Sequence, residues 1–259
     1  MRVALIDYGI GNLRSVNKAL EHVGAVVVQT ADPEEILKAD KVVLPGVGAF
    51  KDGMKGLQAR GLISTIDEIV KRQTPLLGIC LGMQLFLSRS SEMGETHGLG
   101  YVAGEVREFS MDHLKIPQTG WNQLQMTSPS PLLRGVDDGT FVYFNHSYYC
   151  DPSAPSVSIA KTDYGISFAS AIQEESIYGV QFHPEKSQDA GLDRPCSEYL
   201  GFIHPVDRRY SSPGHPPGTG WITGRGSSRP YFLPNQEMDL HGNPGIHDCL
   251  PVCTDGRRA

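Results

Sequence analysis

The first hundred residues alternate between short apolar runs and amphipathic stretches. The apolar runs predict four buried parallel strands, at residues 3–6, 26–28, 42–44 and 76–79. Helical spacing of apolar residues recurs between them, clearly over residues 13–23 and less regularly over residues 57–70. This strand-and-helix order predicts an α/β fold in which a parallel sheet carries helices on both faces.

After about residue 100 the pattern changes to short segments with the alternation that is typical of strands. The alternation predicts further strands at residues 141–144, 157–160 and 177–182. We expect these strands to extend the same sheet in a mixed or antiparallel manner. The chain up to residue 192 is therefore predicted to form one three-layer domain.

The composition changes again near Asp193. Residues 193–259 hold nine Gly and nine Pro, contain seven Arg and no Lys, and show neither helical nor strand period. We expect one domain over residues 1–192 and an irregular, disordered tail over residues 193–259. A shift of reading frame near codon 193 is one hypothesis for such a tail, and a true disordered extension that binds a partner is the other.

Composition and charge exclude several classes of function. The net charge of -6 and the pI of about 5.8 give no indication of the basic surface that nucleic-acid binding requires. No apolar run reaches the roughly 18 residues of a membrane helix, and the first residues resemble a strand rather than a signal peptide. We expect a cytoplasmic protein with five reduced cysteines, in which a lone cysteine is catalytic or buried.

Cys80 carries the most specific chemical signal. It lies between Gly78 and Gly82 at the end of a predicted strand, and a helical pattern follows over residues 84–87. This is the thiol form of a nucleophile elbow, whose small neighbours permit a strained turn. The helix N-terminus that follows favours a thiolate. Taken alone, the segment also fits a buried structural cysteine beside packing glycines.

His183 and Glu185 follow the last predicted strand and are separated by Pro184. In an extended chain, residues i and i+2 point the same way, so the carboxylate can approach the imidazole ring. A base that takes the thiol proton and a carboxylate that orients the base are the two groups that a nucleophilic cysteine needs. The two segments together predict a Cys80–His183–Glu185 triad.

A third segment, residues 45–48, follows the third predicted strand and contains two glycines. It should lie at the carboxyl edge of the sheet, where open α/β sheets bind ligands. Backbone N–H groups of Val47 and Gly48, together with that of Leu81, are candidates for an oxyanion hole. An ordinary strand-to-helix loop is the alternative interpretation of this segment.

These segments resemble class I glutamine amidotransferases, and within them the glutaminase subunits of imidazole glycerol phosphate synthase of histidine biosynthesis. The resemblance covers about residues 1–192. Its most specific motifs are DYGIGNL at 7–13, PGVGAF at 45–50, GWN at 120–122, HSYY at 146–149 and HPEKS at 183–187. It implies a sheet of seven to nine strands flanked by helices. It also implies that Cys80 attacks the glutamine amide, that ammonia leaves, and that water hydrolyses the γ-glutamyl thioester.

The resemblance further implies binding roles for residues outside the triad. Gln84, Glu92, Ser147 and Tyr148 match positions that hold glutamine. A separate (β/α)₈ cyclase subunit would receive the ammonia through a tunnel, form a heterodimer with this chain, and produce imidazole glycerol phosphate and an aminoimidazole carboxamide ribotide. Four residues match positions at that interface: Asn12, Trp121, Tyr143 and Lys186. No metal or cofactor is implied.

The chain departs from the family pattern at a few positions. Gln118 and Thr119 stand where the family commonly has His and Met, and Asn145 stands where an apolar residue is usual. The departures bear on communication between the two subunits and leave the triad intact. At residues 193–195 the sequence Asp-Arg-Pro interrupts the closing helix that the family carries.

Three other interpretations stay open at the level of sequence. The first is an inactive or regulatory protein on the same fold, because of the altered C-terminus. The second is a stand-alone cysteine hydrolase that acts on γ-glutamyl or peptide substrates. The third is a metal module in the tail, built from closely spaced His241, His247, Cys249 and Cys253.

Overall fold

The structure is a computed structural model that describes residues 1–110 and 114–187. The described strands are β1 Arg2–Ile6, β2 Val26–Thr30, β3 Lys41–Gly46, β4 Leu76–Cys80, β5 Leu87–Ser90, β6 Thr96–His97, β7 Val102–Glu108, β8 Gln118–Gln123, β9 Gln125–Met126, β10 Phe141–His146, β11 Tyr148–Pro152, β12 Ser158–Asp163, β13 Ser167–Glu174 and β14 Ile177–Val180. The described helices are α1 Leu13–His22, α2 Pro33–Leu37, α3 Phe50–Ala59, α4 Ile63–Lys71 and α5 Leu81–Leu85, with 3₁₀ turns at Pro131–Leu133, Pro155–Val157 and Pro184–Lys186.

Twelve of the described strands form one mixed sheet. Its central order is β2-β1-β3-β4-β14-β13-β11-β7-β5-β6, and β12 joins at β13 and carries β9. The neighbours β2, β1, β3, β4 and β14 are parallel, whereas β13 is antiparallel to β14. The predicted α/β fold with an open mixed sheet is therefore confirmed.

Two apolar cores cover the two faces of this sheet. Val3, Leu5 and Val43 pack with residues of α1 on one face. Ala4, Ile6, Val42 and Leu44 point to the opposite face and pack with α2 to α5. Successive strand residues alternate between the faces, and each run is apolar throughout because both faces are covered. The strands β1, β3 and β4 owe their continuous apolar pattern to this burial, whereas the predicted burial of residues 26–28 is wrong: β2 is the edge strand, and Val26 is 64% exposed.

Four expectations about the elements need correction. Residues 141–144 lie in β10, which pairs with β8 in a separate two-stranded sheet instead of extending the large one. The large sheet has twelve described strands rather than seven to nine, because the short strands β5, β6 and β9 also join it. The helix after the nucleophile turn ends at Leu85, and β5 begins at Leu87. Residues 57–70 belong to two helices, α3 and α4, that are separated by a turn.

Several predictions concern parts of the chain outside the described residues. They are the domain boundary after residue 192, the disordered tail over residues 193–259 and the metal module in that tail. Among the described residues, no helix has both the length and the apolar character to cross a membrane.

The glycine substitution Gly82→Ala tests how closely α5 packs on β3. A Cβ on Gly82 would lie 1.9 Å from the Leu44 carbonyl oxygen, whereas a Cβ on Gly61 would meet nothing within 4 Å. Gly61 has a φ of +65°, so Gly61→Ala is a matched control that carries only the left-handed backbone cost of about 1–2 kcal/mol. We expect Gly82→Ala to lower the free energy of unfolding by about 3 kcal/mol or more, measured by urea denaturation. Equal losses in the two variants would contradict this packing.

Candidate active site

Three parallel strands end side by side at one edge of the sheet. Gly46 at the end of β3 pairs with Cys80 at the end of β4, and Val180 at the end of β14 pairs with Ile79. Carboxyl ends of parallel strands are the usual ligand-binding edge of such sheets. A cavity of about 390 Å³ opens there, lined by Val47, Gly48, Ala49, Cys80, Leu81, Gln84, Glu92, Pro117, Asn145, His146, Ser147, Tyr148, His183 and Lys186.

The backbone at Cys80 is strained. Its φ of 53° and ψ of −109° lie outside the regions that non-glycine residues prefer, and such a conformation costs on the order of 1–3 kcal/mol. The glycines on either side make the turn possible, because a Cβ on Gly78 would lie 2.5 Å from the Phe86 ring and one on Gly82 would overlap the Leu44 carbonyl. The residue is only 6% exposed, yet it lines the cavity.

His183 and Glu185 form a buried pair beside this thiol. The Nδ1 atom of His183 lies 2.9 Å from Oε1 of Glu185, and the two side chains are 3% and 2% exposed. Because a carboxylate only accepts, Nδ1 donates. Tyr143 and Ser187 fix the backbone of His183: its N–H donates to the Tyr143 carbonyl at 2.9 Å, and its carbonyl accepts from the Ser187 hydroxyl at 2.7 Å.

The reason for the His183–Glu185 contact differs from the one predicted. His183 is extended, with φ −102° and ψ 94°, but residues 184–186 form a 3₁₀ turn. That turn, which begins at the proline, brings the carboxylate to the ring. The predicted i, i+2 alternation of a continuing strand is therefore wrong, because β14 already ends at Val180.

The charge state of His183 follows from its two partners. Burial lowers the pKa of His183, but the hydrogen bonds with Cys80 and Glu185 outweigh it and raise the pKa to about 9. The second carboxylate oxygen, Oε2 of Glu185, is buried and has no hydrogen-bond partner among the described residues. A buried carboxylate of this kind favours a positively charged ring. The arrangement suits a thiolate–imidazolium pair.

A chain of amide hydrogen bonds lies behind the thiol. The Nε2 atom of Gln84 donates to the Tyr148 carbonyl at 3.0 Å and to Oε1 of Gln181 at 3.1 Å. The Nε2 atom of Gln181 in turn lies 3.7 Å from Sγ of Cys80. His146 also contacts the Tyr148 carbonyl, through Nδ1 at 2.8 Å, and burial lowers the pKa of His146 to about 4. The ring is therefore neutral at physiological pH.

The residues expected to hold glutamine all line the cavity, but they differ in whether their polar atoms already form hydrogen bonds within the protein. Both donors of the Gln84 amide are committed to protein acceptors. The Oε2 atom of Glu92 accepts from the backbone N–H of Phe50 at 2.6 Å, so the carboxylate also holds the start of α3. Ser147 and Tyr148 are half-buried at the cavity wall.

The expected oxyanion-hole residues line the same cavity as the thiol. Val47, Gly48 and Leu81 line the cavity. Gly48 has a φ of +98°, and a Cβ there would meet nothing within 4 Å. Val47 is 39% exposed, so this segment borders the cavity without being fixed by core packing.

The expected interface residues are only partly brought together. Trp121 and Tyr143 pair across β8 and β10, with ring centroids 6.0 Å apart, and Nζ of Lys186 lies 5.6 Å from the Tyr143 ring centre. Trp121 is 45% exposed. Lys186 also lines the cavity, whereas Asn12 does not; it precedes α1, and its carbonyl accepts from the N–H of Val16.

The departures from the family pattern are neighbours in the structure. Thr119 pairs with Asn145 across β8 and β10, and the threonine hydroxyl donates to the Asn145 side-chain oxygen at 3.2 Å. Gln118 is buried, and its Oε1 has no partner among the described residues. The substitutions thus form one local patch at the cavity rim.

Similarity to known proteins agrees with this chemistry. The family model described as "Glutamine amidotransferase class-I" matches residues 4–198. The imidazole glycerol phosphate synthase subunit HisH of Moorella thermoacetica is 50% identical over 191 residues, which cover 74% of this chain and 90% of that protein. The HisH subunit of Dehalococcoides mccartyi is 49% identical over 190 residues, covering 73% and 92%.

The chain belongs to the class-I glutamine amidotransferases, in the HisH family. It is thus a glutamine amidotransferase of histidine biosynthesis. Solved structures support the fold. PurLQS from Thermotoga maritima has a TM-score of 0.60 at 17% identity and covers 78% of this chain and 97% of that one. The glutaminase domain of Trypanosoma brucei CTPS with bound acivicin has a TM-score of 0.55 at 19% identity, with 78% and 92% covered.

The variant Glu185→Gln tests the electrostatics of the pair. Losing the carboxylate should lower the pKa of His183 from about 9, and we expect its NMR titration midpoint to fall by about one unit or more. A raised pKa stabilises the fold below the unfolded value of about 6.5, and that contribution is lost as pH rises through about 9.

The difference in unfolding free energy between the wild type and Glu185→Gln should therefore be largest below pH 6.5 and shrink towards about pH 9. The exposed Glu21 on α1 offers a control variant, Glu21→Gln, which should leave the His183 titration unchanged. An unshifted His183 midpoint in Glu185→Gln would contradict the described contact.

Proposed function

We propose that this chain releases ammonia from the side-chain amide of glutamine through a thioester on Cys80 and delivers it to a partner subunit. One observation carries the proposal. A strained thiol, that of Cys80, and the His183 ring line the same cavity, and a buried carboxylate, Glu185, holds that ring. These are the nucleophile, the base and the orienting group of acyl transfer.

The reaction follows from these positions. The Cys80 thiolate attacks the amide carbon of glutamine, and the carbonyl oxygen becomes an oxyanion that backbone donors at Val47, Gly48 and Leu81 stabilise. The His183 imidazolium gives its proton to the amide nitrogen, which leaves as ammonia while the γ-glutamyl thioester forms. His183 then takes a proton from water, whose oxygen attacks the thioester. Glutamate leaves, and the thiolate is restored.

Substrate recognition is assigned to the remaining cavity residues. Ser147 and Tyr148, at the start of β11, line the cavity together with Gln84 on α5 and Glu92 in the turn after β5. Because Glu92 also holds the Phe50 N–H, its carboxylate ties the substrate wall to the end of the Val47–Gly48 segment. A charged ligand group that binds the Glu92 carboxylate would therefore also affect the Val47–Gly48 segment.

The partner in this proposal is a (β/α)₈ cyclase subunit that forms a heterodimer with the chain and receives the ammonia. The names of the relatives describe them as subunits of a synthase. We assign Asn12, Trp121, Tyr143 and Lys186 to the contact. Lys186 supports this assignment because it lines the cavity and also stacks on the Tyr143 ring. A partner that contacts this ring would therefore also affect a residue of the cavity.

Other parts of the proposal rest on sequence. We place the glutaminase domain at residues 1–192, in keeping with a family match that ends at residue 198, and we place the protein in the cytoplasm without nucleic-acid or membrane partners. An inactive protein on the same fold is disfavoured by the intact arrangement of thiol, imidazole and carboxylate. A stand-alone hydrolase is disfavoured by relatives that are subunits of a synthase.

The variant Cys80→Ala tests the proposal in the complex with a cyclase subunit. Glutamine-dependent product formation should fall by about three orders of magnitude or more, because the thiol is needed for every turnover of the amide. Formation of the same product from added ammonia should be unchanged, since the cyclase does not use Cys80. Both rates are measured in one continuous product assay.

Cys150 provides the matched control. It is the other free cysteine among the described residues, it is 1% exposed, and it does not line the cavity. Cys150→Ala should retain glutamine-dependent turnover within a few-fold. Glutamine turnover by Cys80→Ala above a few per cent of the wild type would rule out Cys80 as the nucleophile.

A further inference from the structure

We infer that Gln181 is a positioning residue for the nucleophile: its side-chain N–H donates to the Cys80 sulfur and stabilises the thiolate, while Gln84 holds the amide in the orientation that makes this possible. The inference rests on the proposed function, because it concerns the same thiol. Sequence reasoning gave Gln181 no role, although it lies two residues before His183.

The strand register explains why this side chain reaches the sulfur. Val180 pairs with Ile79 in the parallel β14–β4 ladder, so Gln181, the residue that follows β14, lies beside Cys80. Its backbone N–H donates to the Ser170 carbonyl at 2.9 Å, which anchors it to the neighbouring strand. The side chain is fully buried, and its Nε2 lies 3.7 Å from the Cys80 Sγ. That distance is within the range of a hydrogen bond to sulfur.

A backbone carbonyl determines which end of the amide faces the sulfur. The Tyr148 carbonyl can only accept, so the Gln84 atom that contacts it at 3.0 Å must be the nitrogen. The same nitrogen contacts Gln181 at 3.1 Å, where the partner must be the oxygen Oε1. The remaining end of the Gln181 amide, the NH₂ group, therefore points to Cys80. The Tyr148 carbonyl thus fixes the orientation of the Gln84 amide, which in turn fixes the orientation of the Gln181 amide.

The chemistry of an amide suits this position. His183 also lines the cavity with the thiol, but it must surrender its proton to the leaving nitrogen during each turnover. The N–H of Gln181 cannot be transferred at physiological pH, so it remains a donor to sulfur in every step. It lowers the free energy of the thiolate both before attack and when the thioester breaks.

The test measures the reactivity of Cys80 in the full chain without substrate. Iodoacetamide alkylates the thiolate, and mass spectrometry of the Cys80 peptide gives the site-specific rate at each pH. In Gln181→Met, which keeps the side-chain length and removes the donor, the pH of half-maximal alkylation rate should rise by about one unit. Glutamine turnover in the complex should fall about 10- to 100-fold.

A second variant distinguishes the loss of the hydrogen-bond donor from a loss of packing. Gln181→Glu has the same shape and keeps an oxygen towards Gln84, but it places a carboxylate oxygen against the sulfur. We expect a larger upward shift of the alkylation profile than in Gln181→Met, because like charges repel. Gln173 on β13, whose Oε1 accepts from the Ser130 hydroxyl at 2.7 Å, provides the control: Gln173→Met should keep the wild-type profile.

Double substitution tests the role of Gln84. Gln84→Met frees the Gln181 amide to rotate, so it should shift the alkylation profile in the same direction by a smaller amount. Adding it to Gln181→Met should cause no further shift. Additive shifts would show that Gln84 does not act through Gln181 and would overturn that part of the inference.

A wild-type alkylation profile in both Gln181 variants would overturn the inference, even if turnover fell, because packing or substrate contact would then explain the loss. That result is distinct from failure of the proposed function, which would appear as glutamine turnover in Cys80→Ala. A shifted profile with the Gln173→Met control unchanged would support the assignment.

Discussion

The active site depends on one backbone constraint, the strained turn at Cys80 between β4 and α5. Its φ of 53° persists because α5 packs so closely on β3 that a Cβ at Gly82 would overlap the Leu44 carbonyl. The same packing leaves no room for a side chain at Gly78. The sheet holds the turn on both sides, through β3 and β14, so the strain is offset by burial in the core.

The parallel register of β4 and β14 brings the other catalytic side chains next to this turn. Since β14 runs beside β4, the residues that follow Val180 must pass the sulfur, and the 3₁₀ turn after His183 folds Glu185 back onto the ring. The pair is nearly inaccessible to water, which strengthens its electrostatics. The same register delivers the Gln181 amide. The segment that follows β14 therefore supplies the base, the carboxylate that orients it and a second donor to the nucleophile.

Much of the fold could be predicted because both faces of β1, β3 and β4 are buried, which produces continuous apolar runs. Alternation at residues 141–144 identified a strand but not its partner, because a period of two is the same in either sheet. Cys80 and His183 stood out by their neighbours in sequence. The contact of Gln181 with sulfur and that of Glu92 with α3 depend on register and loop path, which local sequence does not specify.

The central claim is that Cys80 carries the acyl group during turnover. Its most direct test is rapid acid quenching of the full chain mixed with glutamine and its cyclase partner, followed by proteolysis and mass spectrometry. The account predicts a γ-glutamyl thioester on the peptide that contains Cys80, which rises before steady state and decays as glutamate appears. Turnover without an adduct on that peptide, or with the adduct on another residue, would contradict it.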